Sequence, residues 1–374
     1  MISFNKPYLT GKETTYIQNA VRSCKISGNG VYTKKCHNKF KSILNNGHNL
    51  LTTSCTDALE MSAILANIKT GDEVIMPTFT FVSTANAFVL RGANIVFADS
   101  RLDHPGIDEE AIEELITKKT KAIVVVHYAG ISCDMDKILE IAKRNNLLVI
   151  EDAAQGIDSY YKGKPLGSIG DMGGFSFHET KNIQCGEGGL IAVNNLKFKE
   201  RAEIIWEKGT NRSAFWRGEV DKYNWVDIGS SFLPSEINAA FLYAQLEKLE
   251  FIQKKRKAIW DKYYKDLMKL VELGVNIPFI PKYATNNAHM FYLVCRTNYE
   301  RTSLINYLKK QNINAVFHYI CLHDSPYFFK KHDNREMTNA KKYERCLVRL
   351  PFWVNMTEKE VKYVIQKVLE FYSY

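Results

Sequence analysis

Through roughly the first 195 residues, short apolar runs alternate with amphipathic stretches. The runs are Asn49–Thr52, Glu73–Met76, Asn94–Ala98, Ala122–His127, Leu147–Glu151, Gly174–Phe177 and Leu190–Val193. Between several of them, Thr56–Ile68, Asp108–Thr117 and Asp134–Asn145 repeat apolar residues three and four positions apart, the period of a helix with one buried face. Strands and helices in alternation predict βαβ units, and hence an α/β fold with a mostly parallel sheet between helices. The run Ala122–Val126 is apolar at every position, as a strand covered on both faces should be.

Beyond this the pattern changes. A long helical period runs from Pro234 to about Lys269, with Ala239, Ala240, Leu242, Leu246 and Leu249 on one side. A loop with Pro278 and Pro281 follows, then a strand-like His289–Arg296 and helical stretches at about Arg301–Gln311 and Thr357–Phe371. The expected division is a large domain over residues 1–250 and a small α+β domain over 251–374, with the long helix able to serve both.

Composition narrows the class. The chain has 374 residues, 45% of them hydrophobic and 24% charged, which supports a large buried core and argues against disorder. The net charge of +9 is interspersed and favours small anionic ligands. No recognition helix or basic-aromatic repeat accompanies it, so nucleic acid is not expected as a partner. The eight cysteines form no CxxC pair, so neither a metal site nor a disulfide framework is indicated. The first residues lack the charged and apolar regions of a signal peptide, and no apolar run nears the ~20 residues needed to cross a bilayer. A cytoplasmic protein without a membrane partner is the expectation.

Ligands of open parallel sheets bind beyond the carboxyl ends of the strands. After the first run, Ser54-Cys55-Thr56-Asp57 opens a helix whose amides and hydroxyls suit an anion, although the same residues equally serve as a plain cap. After Leu147–Glu151 comes Asp152, an acid that a buried strand end tolerates only with a partner, either loop amides or a protonated ring nitrogen. After Gly174–Phe177, Ser176 precedes Lys181 by five residues, and Gly186-Glu-Gly-Gly189 follows. An imine-forming lysine must be partly deprotonated, which calls for a desolvated position; a solvated surface lysine is the ordinary alternative. The segment Pro77-Thr-Phe79-Thr-Phe81 adds aromatic rings able to cover a flat ligand. In this order the set describes a pocket for a phosphorylated aromatic aldehyde.

The segments GDEVIMPTFTFVSTANAFVLRGA, VHYAG, EDAAQG, GFSFHETKN, GEGG, EKGTNRS and FHYICLH extend this set along nearly the whole chain. Through them the chain resembles the DegT/DnrJ/EryC1/StrS family of sugar-nucleotide aminotransferases, which are pyridoxal-phosphate (PLP) enzymes of fold type I. The likeness is greatest to the subgroup of dTDP-4-amino-4,6-dideoxygalactose transaminases. It implies that Lys181 holds PLP as a Schiff base and shuttles the proton. It implies that Asp152 pairs with the ring nitrogen, Gln155 with the ring hydroxyl, and that Phe81 stacks on the ring. Cys55, Thr56 and Ser176 would hold the phosphate. Ser231, in Gly229-Ser-Ser-Phe-Leu-Pro234, takes the place of an asparagine that in much of the family reaches the phosphate in the partner subunit of a homodimer. The stretch from Asn182 to Gly189 is about one residue shorter than the subgroup's form.

Candidates for the nucleotide sugar are Arg212, Arg217, Tyr223, His318, Tyr319 and His323, with a solvated loop or subunit packing as the plainer alternative. The implied reaction moves an amine from L-glutamate to C4 of dTDP-4-dehydro-6-deoxy-D-glucose. The products would be 2-oxoglutarate and dTDP-4-amino-4,6-dideoxy-D-galactose, a precursor of enterobacterial common antigen or O-antigen. Another regio- or stereochemistry, a PLP-dependent sugar dehydratase and a non-catalytic PLP sensor are the alternatives. The dehydratases carry histidine where this chain has Lys181.

Overall fold

The apolar runs of the first half assemble into one sheet, in a computed structural model that describes residues 1–373. Its strands are β1 (Asn49–Thr52), β2 (Glu73–Pro77), β3 (Asn94–Ala98), β4 (Thr120–Val126) and β5 (Leu148–Asp152). A two-stranded ribbon, β6 (Tyr160–Tyr161) and β7 (Lys164–Pro165), precedes the last two, β8 (Met172–Ser176) and β9 (Gly189–Val193). The spatial order is β1-β9-β8-β5-β4-β2-β3, and β9 alone runs against the rest. Six of the seven strands therefore end on the same edge, and the loops that follow them share one region of space. Ile123, Val124 and Val125 of β4 are fully buried, consistent with helices on both faces.

The helices around this sheet are α1 (Glu13–Arg22), α2 (Val31–Leu44), α3 (Cys55–Leu65), α4 (Val82–Val89), α5 (Met135–Arg144), α6 (Lys199–Trp206), the short α7 (Arg212–Trp216) and α8 (Glu236–Leu246). Glu236 of α8 is buried and closes the start of α2. Its carboxylate accepts hydrogen bonds from the backbone N–H groups of Gly30 (3.0 Å), Tyr32 (2.7 Å) and Thr33 (3.0 Å), and from the Thr33 hydroxyl. Glycine at residue 30 gives the carboxylate room, since a Cβ there would lie 2.6 Å from the Glu236 carboxyl carbon and push that side chain aside.

The long helical period is interrupted. α8 ends at Leu246, and α9 (Leu249–Leu267) starts after a break at Glu247 and Lys248. α8 packs against α1 and α2, whereas α9 packs against α12 (Glu358–Phe371) in the second unit; one straight rod could not lie on both. The second unit adds β10 (Tyr292–Val294), α10 (Asn298–Lys310), β11 (Val316–Phe317), α11 (Thr338–Cys346) and β12 (Leu347–Arg349). Its strands form an antiparallel sheet in the order β10-β12-β11. Met290, Tyr292 and Tyr343 of this unit pack into the core of the large sheet, so the two units share buried contacts.

The amphipathic stretch Asp108–Thr117 does not become an α-helix; only a 3-10 turn forms at Glu113–Leu115. Tertiary ties win there. The Asp108 amide bonds the Asp99 carbonyl, buried Glu109 pairs with Arg101, and Ile107 and Ile112 are both fully buried. Among the described residues no helix is long and apolar enough to cross a membrane.

Candidate active site

The loops at the common strand edge enclose a cavity of about 480 Å³, in the range that holds cofactor-sized ligands. β1 leads into its first wall. Ser54 caps α3, its hydroxyl accepting from the Asp57 amide at 3.1 Å, so the first turn of the helix faces the cavity. Thr56 donates to the Ser83 hydroxyl at 2.8 Å, and Cys55, Ser176 and Thr180 line the same end. Gly189 allows this. A Cβ on it would sit 2.2–2.5 Å from the backbone of Ser54 and Cys55, so only glycine lets β9 start against the helix N-terminus. Helix amides, hydroxyls and a neutral thiol make an anion cup; burial, with Asp152 nearby, pushes the Cys55 thiol well up.

Asp152 ends β5 with its side chain in the cavity. Its two oxygens accept from the Thr84 hydroxyl (2.7 Å) and the Ala154 amide (3.1 Å). Those bonds orient the carboxylate, and no cation among the described residues forms an ion pair with it. Gln155 accepts from the Ala129 amide at 2.6 Å and donates to the Tyr319 hydroxyl at 3.4 Å, placing its amide at the cavity wall.

Lys181 projects from the turn after β8, where its own amide bonds the His178 carbonyl at 2.9 Å. Its amine has no hydrogen-bond partner among the described residues. Burial pulls the amine below its ordinary value, opposed by Cys55 and Asp152 and reinforced by Arg349. A reactive lysine needs this setting. Phe81 is half exposed at the mouth, its ring 6.0 Å from that of Tyr319.

Cys55, Thr56, Phe81, Asp152, Gln155, Ser176, Lys181, His318 and Tyr319 are thus brought together. Five expected site residues are not. Ser231 is exposed and pairs by its backbone with Glu207. Arg212 lies 5.9 Å from the rings of Trp216 and the exposed Tyr223, and neither Arg212 nor Tyr223 lines the cavity. Arg217 is held by Glu203 and Glu219, each at 2.7 Å, which leaves its charge already matched within this chain. His323 also lies outside the cavity lining. It is 2% exposed, its Nδ1 accepts from the Thr78 hydroxyl at 2.7 Å, and it pins the loop after β11 to the end of β2 instead of lining the cavity. Both ligand and pin call for a polar ring near a strand end, so local sequence cannot separate them.

Several lining residues were not among the expected site residues, Ser54, Thr180, His289 and Arg349 among them. Ser54 was visible as the cap of the SCTD segment. His289 and Arg349 carry no local signal, because they come from the second unit and reach the cavity only through the docking of the two sheets. His289 donates through Nδ1 to Asn182 at 2.8 Å, and burial with Lys181 and Arg349 close by keeps it neutral.

The sequence profile of the DegT/DnrJ/EryC1/StrS aminotransferase family matches residues 7–369. The chain belongs to this family. It is a PLP-dependent aminotransferase acting on a nucleotide sugar, and its fold is that of the family's solved members. The aminotransferase is 34% identical to GDP-perosamine synthase of Escherichia coli O157:H7, over 98% of each chain. It is 30% identical to the spore coat polysaccharide biosynthesis protein SpsC of Bacillus subtilis, over 98% of this chain and 96% of that one. The solved structure of DesV from S. venezuelae superposes with a TM-score of 0.89 at 26% identity, covering 99% of this chain and 98% of that chain. The cavity of the aminotransferase fits its cofactor: an anion cup, an oriented carboxylate and an unpartnered amine meet the needs of a phosphate, a ring nitrogen and an aldehyde.

Proposed function

We propose that this enzyme transfers the amino group of L-glutamate to C4 of dTDP-4-dehydro-6-deoxy-D-glucose, giving 2-oxoglutarate and dTDP-4-amino-4,6-dideoxy-D-galactose for a cell-surface polysaccharide. One observation carries the chemistry: the Lys181 amine, the Asp152 carboxylate and the hydroxyl-lined start of α3 face one cavity. PLP, when bound, supplies the carbonyl that accepts the amine and a ring that takes up electrons released at the substrate carbon.

The chain's own groups divide the remaining work. The start of α3, with Cys55, Thr56 and Ser176, holds the phosphate. Asp152, already oriented by Thr84 and Ala154, keeps a proton on the ring nitrogen by charge pairing. Gln155 reaches the ring hydroxyl from its bond with Ala129, and Phe81 covers the ring at the cavity mouth. Lys181, with its affinity for protons lowered by burial, takes the proton from the donor's α-carbon and delivers one to C4 of the sugar. His318 and Tyr319 flank the mouth where the hexose enters.

Ser231, Arg212, Arg217 and Tyr223 act, in this reading, on the neighbouring site of a homodimer. The exposed apolar surface around them, Trp216, Trp225, Val226 and Ile228, supports a subunit contact there. We also propose the division into residues 1–250 and 251–374, on the support of the two sheets and the break before α9.

The dTDP base rests on the likeness to the dideoxygalactose transaminases; the identity with GDP-perosamine synthase favours a GDP-linked keto sugar as a second reading. Incubating the enzyme with glutamate and each keto sugar, then assigning the C4 configuration by NMR, separates them. A galacto-configured amine from the dTDP sugar is expected. A product only from the GDP sugar, or a gluco product, overturns the first reading. Lys181→Ala should fold yet fail to convert glutamate; normal turnover by that variant would remove the lysine from the mechanism.

A further inference from the structure

Arg349 closes β12, the middle strand of the small sheet, opposite Tyr292 of β10 and Val316 of β11. From this fixed backbone its side chain enters the cavity that holds Lys181 and Asp152. The guanidinium rests on the Phe4 ring, 4.8 Å from its centre. A guanidinium has five N–H donors, yet one hydrogen bond is made among the described residues, from Nη1 to His318 Nε2 at 3.3 Å. Its Nε is buried with no acceptor. No carboxylate among the described residues forms an ion pair with it. The other inward-facing arginine, Arg256, differs, giving its Nε and Nη2 hydrogens to the carbonyls of Ala288 and His289 at 3.0 and 2.6 Å.

His318 cannot supply the missing charge. The guanidinium only donates, so His318 Nε2 must accept; its Nδ1 then carries the hydrogen and donates to the Tyr128 hydroxyl at 3.0 Å. The ring is neutral and locked in one tautomer. A cation turned into a ligand cavity without a fixed acid is completed by an anion that comes with a substrate.

Under the reaction proposed above, three anions reach this site. The cofactor phosphate belongs to the start of α3, in the large unit. The diphosphate of the sugar hangs on C1, across the ring from C4, so it points out of the cavity when C4 meets Lys181. The α-carboxylate of the amino donor sits on the carbon that Lys181 deprotonates. Arg349 reaches the same cavity as that amine from the small sheet, whereas the phosphate cup is built by the large unit.

We propose that Arg349 anchors the α-carboxylate of the amino donor, and therefore serves the amino-acid half of the cycle and not the sugar half; this rests on the transaminase reading above. The guanidinium turns its free N–H groups to the carboxylate, while His318 and Phe4 hold its plane. The donor enters with its α-carbon beside Lys181, and the 2-oxo acid, which keeps the same carboxylate, must break this contact to leave.

The test measures each half separately with the dimeric holoenzyme. Stopped-flow absorbance follows L-glutamate acting on the PLP form and the keto sugar acting on the pyridoxamine form, in wild type, Arg349→Gln and Arg349→Lys. Arg349→Gln should slow the glutamate half by about two to three orders of magnitude, and Arg349→Lys should recover part of this as a point charge. The sugar half should change less than about threefold in both. Equal slowing of both halves, or of neither, overturns the proposal.

Calorimetric titration with glutarate, an unreactive dicarboxylate, reads the anchor without turnover. Binding at least about tenfold weaker in Arg349→Gln is expected, and unchanged binding overturns the proposal. A wild-type enzyme that converts no amino acid at all defeats the transaminase reading instead, and the glutarate titration then still decides whether Arg349 is an anion anchor. Arg349→Lys keeps charge and stem, so a folding defect in Arg349→Gln leaves the comparison readable.

Discussion

Asp152→Asn changes one charge in the cavity and almost none of its volume, so its effect can be worked from the geometry. Both carboxylate oxygens receive a donor, Thr84 Oγ1 at 2.7 Å and the Ala154 amide at 3.1 Å. An asparagine keeps one acceptor and turns an NH2 toward the other donor. If the NH2 faces Thr84, that hydroxyl can rotate and donate to Thr80 Oγ1, 2.8 Å away. The structural loss is therefore small, about 1 kcal/mol, or roughly 2 °C in the melting temperature of a chain this size.

The functional loss is larger. If Asp152 pairs with a protonated ring nitrogen, two unit charges about 4 Å apart would be worth about 4 kcal/mol at an effective dielectric constant of 20. Expressed in full at the transition state, that is about a thousandfold in rate. Stopped-flow measurement of the glutamate half-reaction, beside thermal unfolding of the same preparation, separates the two effects. Thr84→Val should cost only about tenfold, since it removes one orienting bond and keeps the charge. If Asp152→Asn, with cofactor bound, reacts within tenfold of wild type, charge pairing at Asp152 is not what makes the ring an electron acceptor.

Two further variants probe residues outside the chemistry. Glu236→Gln replaces a buried acceptor of backbone and hydroxyl donors at the start of α2 with an amide that must turn an NH2 toward some of them, costing about 2–4 kcal/mol. The urea midpoint should fall while activity per folded molecule holds, and an unchanged midpoint would show that the staple contributes nothing. His323→Ala should lower thermal stability by loosening the loop pinned to Thr78. Its KM for the nucleotide sugar should stay within about twofold, and a KM raised tenfold with unchanged stability would return His323 to the substrate site.

Much of this architecture could be read along the chain, for reasons specific to each segment. All seven runs called as strands became strands of the large sheet, because a run buried on both faces leaves little freedom in its period. Asp108–Thr117 misled because its helical period competes with ties to Asp99 and Arg101 that lie outside any local window. The period from Pro234 to Lys269 was continuous while the helix was not, since the break answers to packing against two different units. At the site, the large-sheet residues announced themselves by standing just after strands: Cys55 after β1, Asp152 at the end of β5, Lys181 after β8.

The sequence by itself determined the strands of the sheet, the order of the cavity loops and which lysine stands in the cavity. Each depends on residues close together in the chain, and parallel strands carry such loops to a common edge. Only the tertiary structure decided which distant side chains complete the cavity. His289 and Arg349 enter it, and His323 leaves it, because the small sheet docks against the large one through Met290, Tyr292 and Tyr343. That docking is a matter of packing between surfaces far apart in sequence, and no local pattern encodes which polar residue ends up facing the ligand.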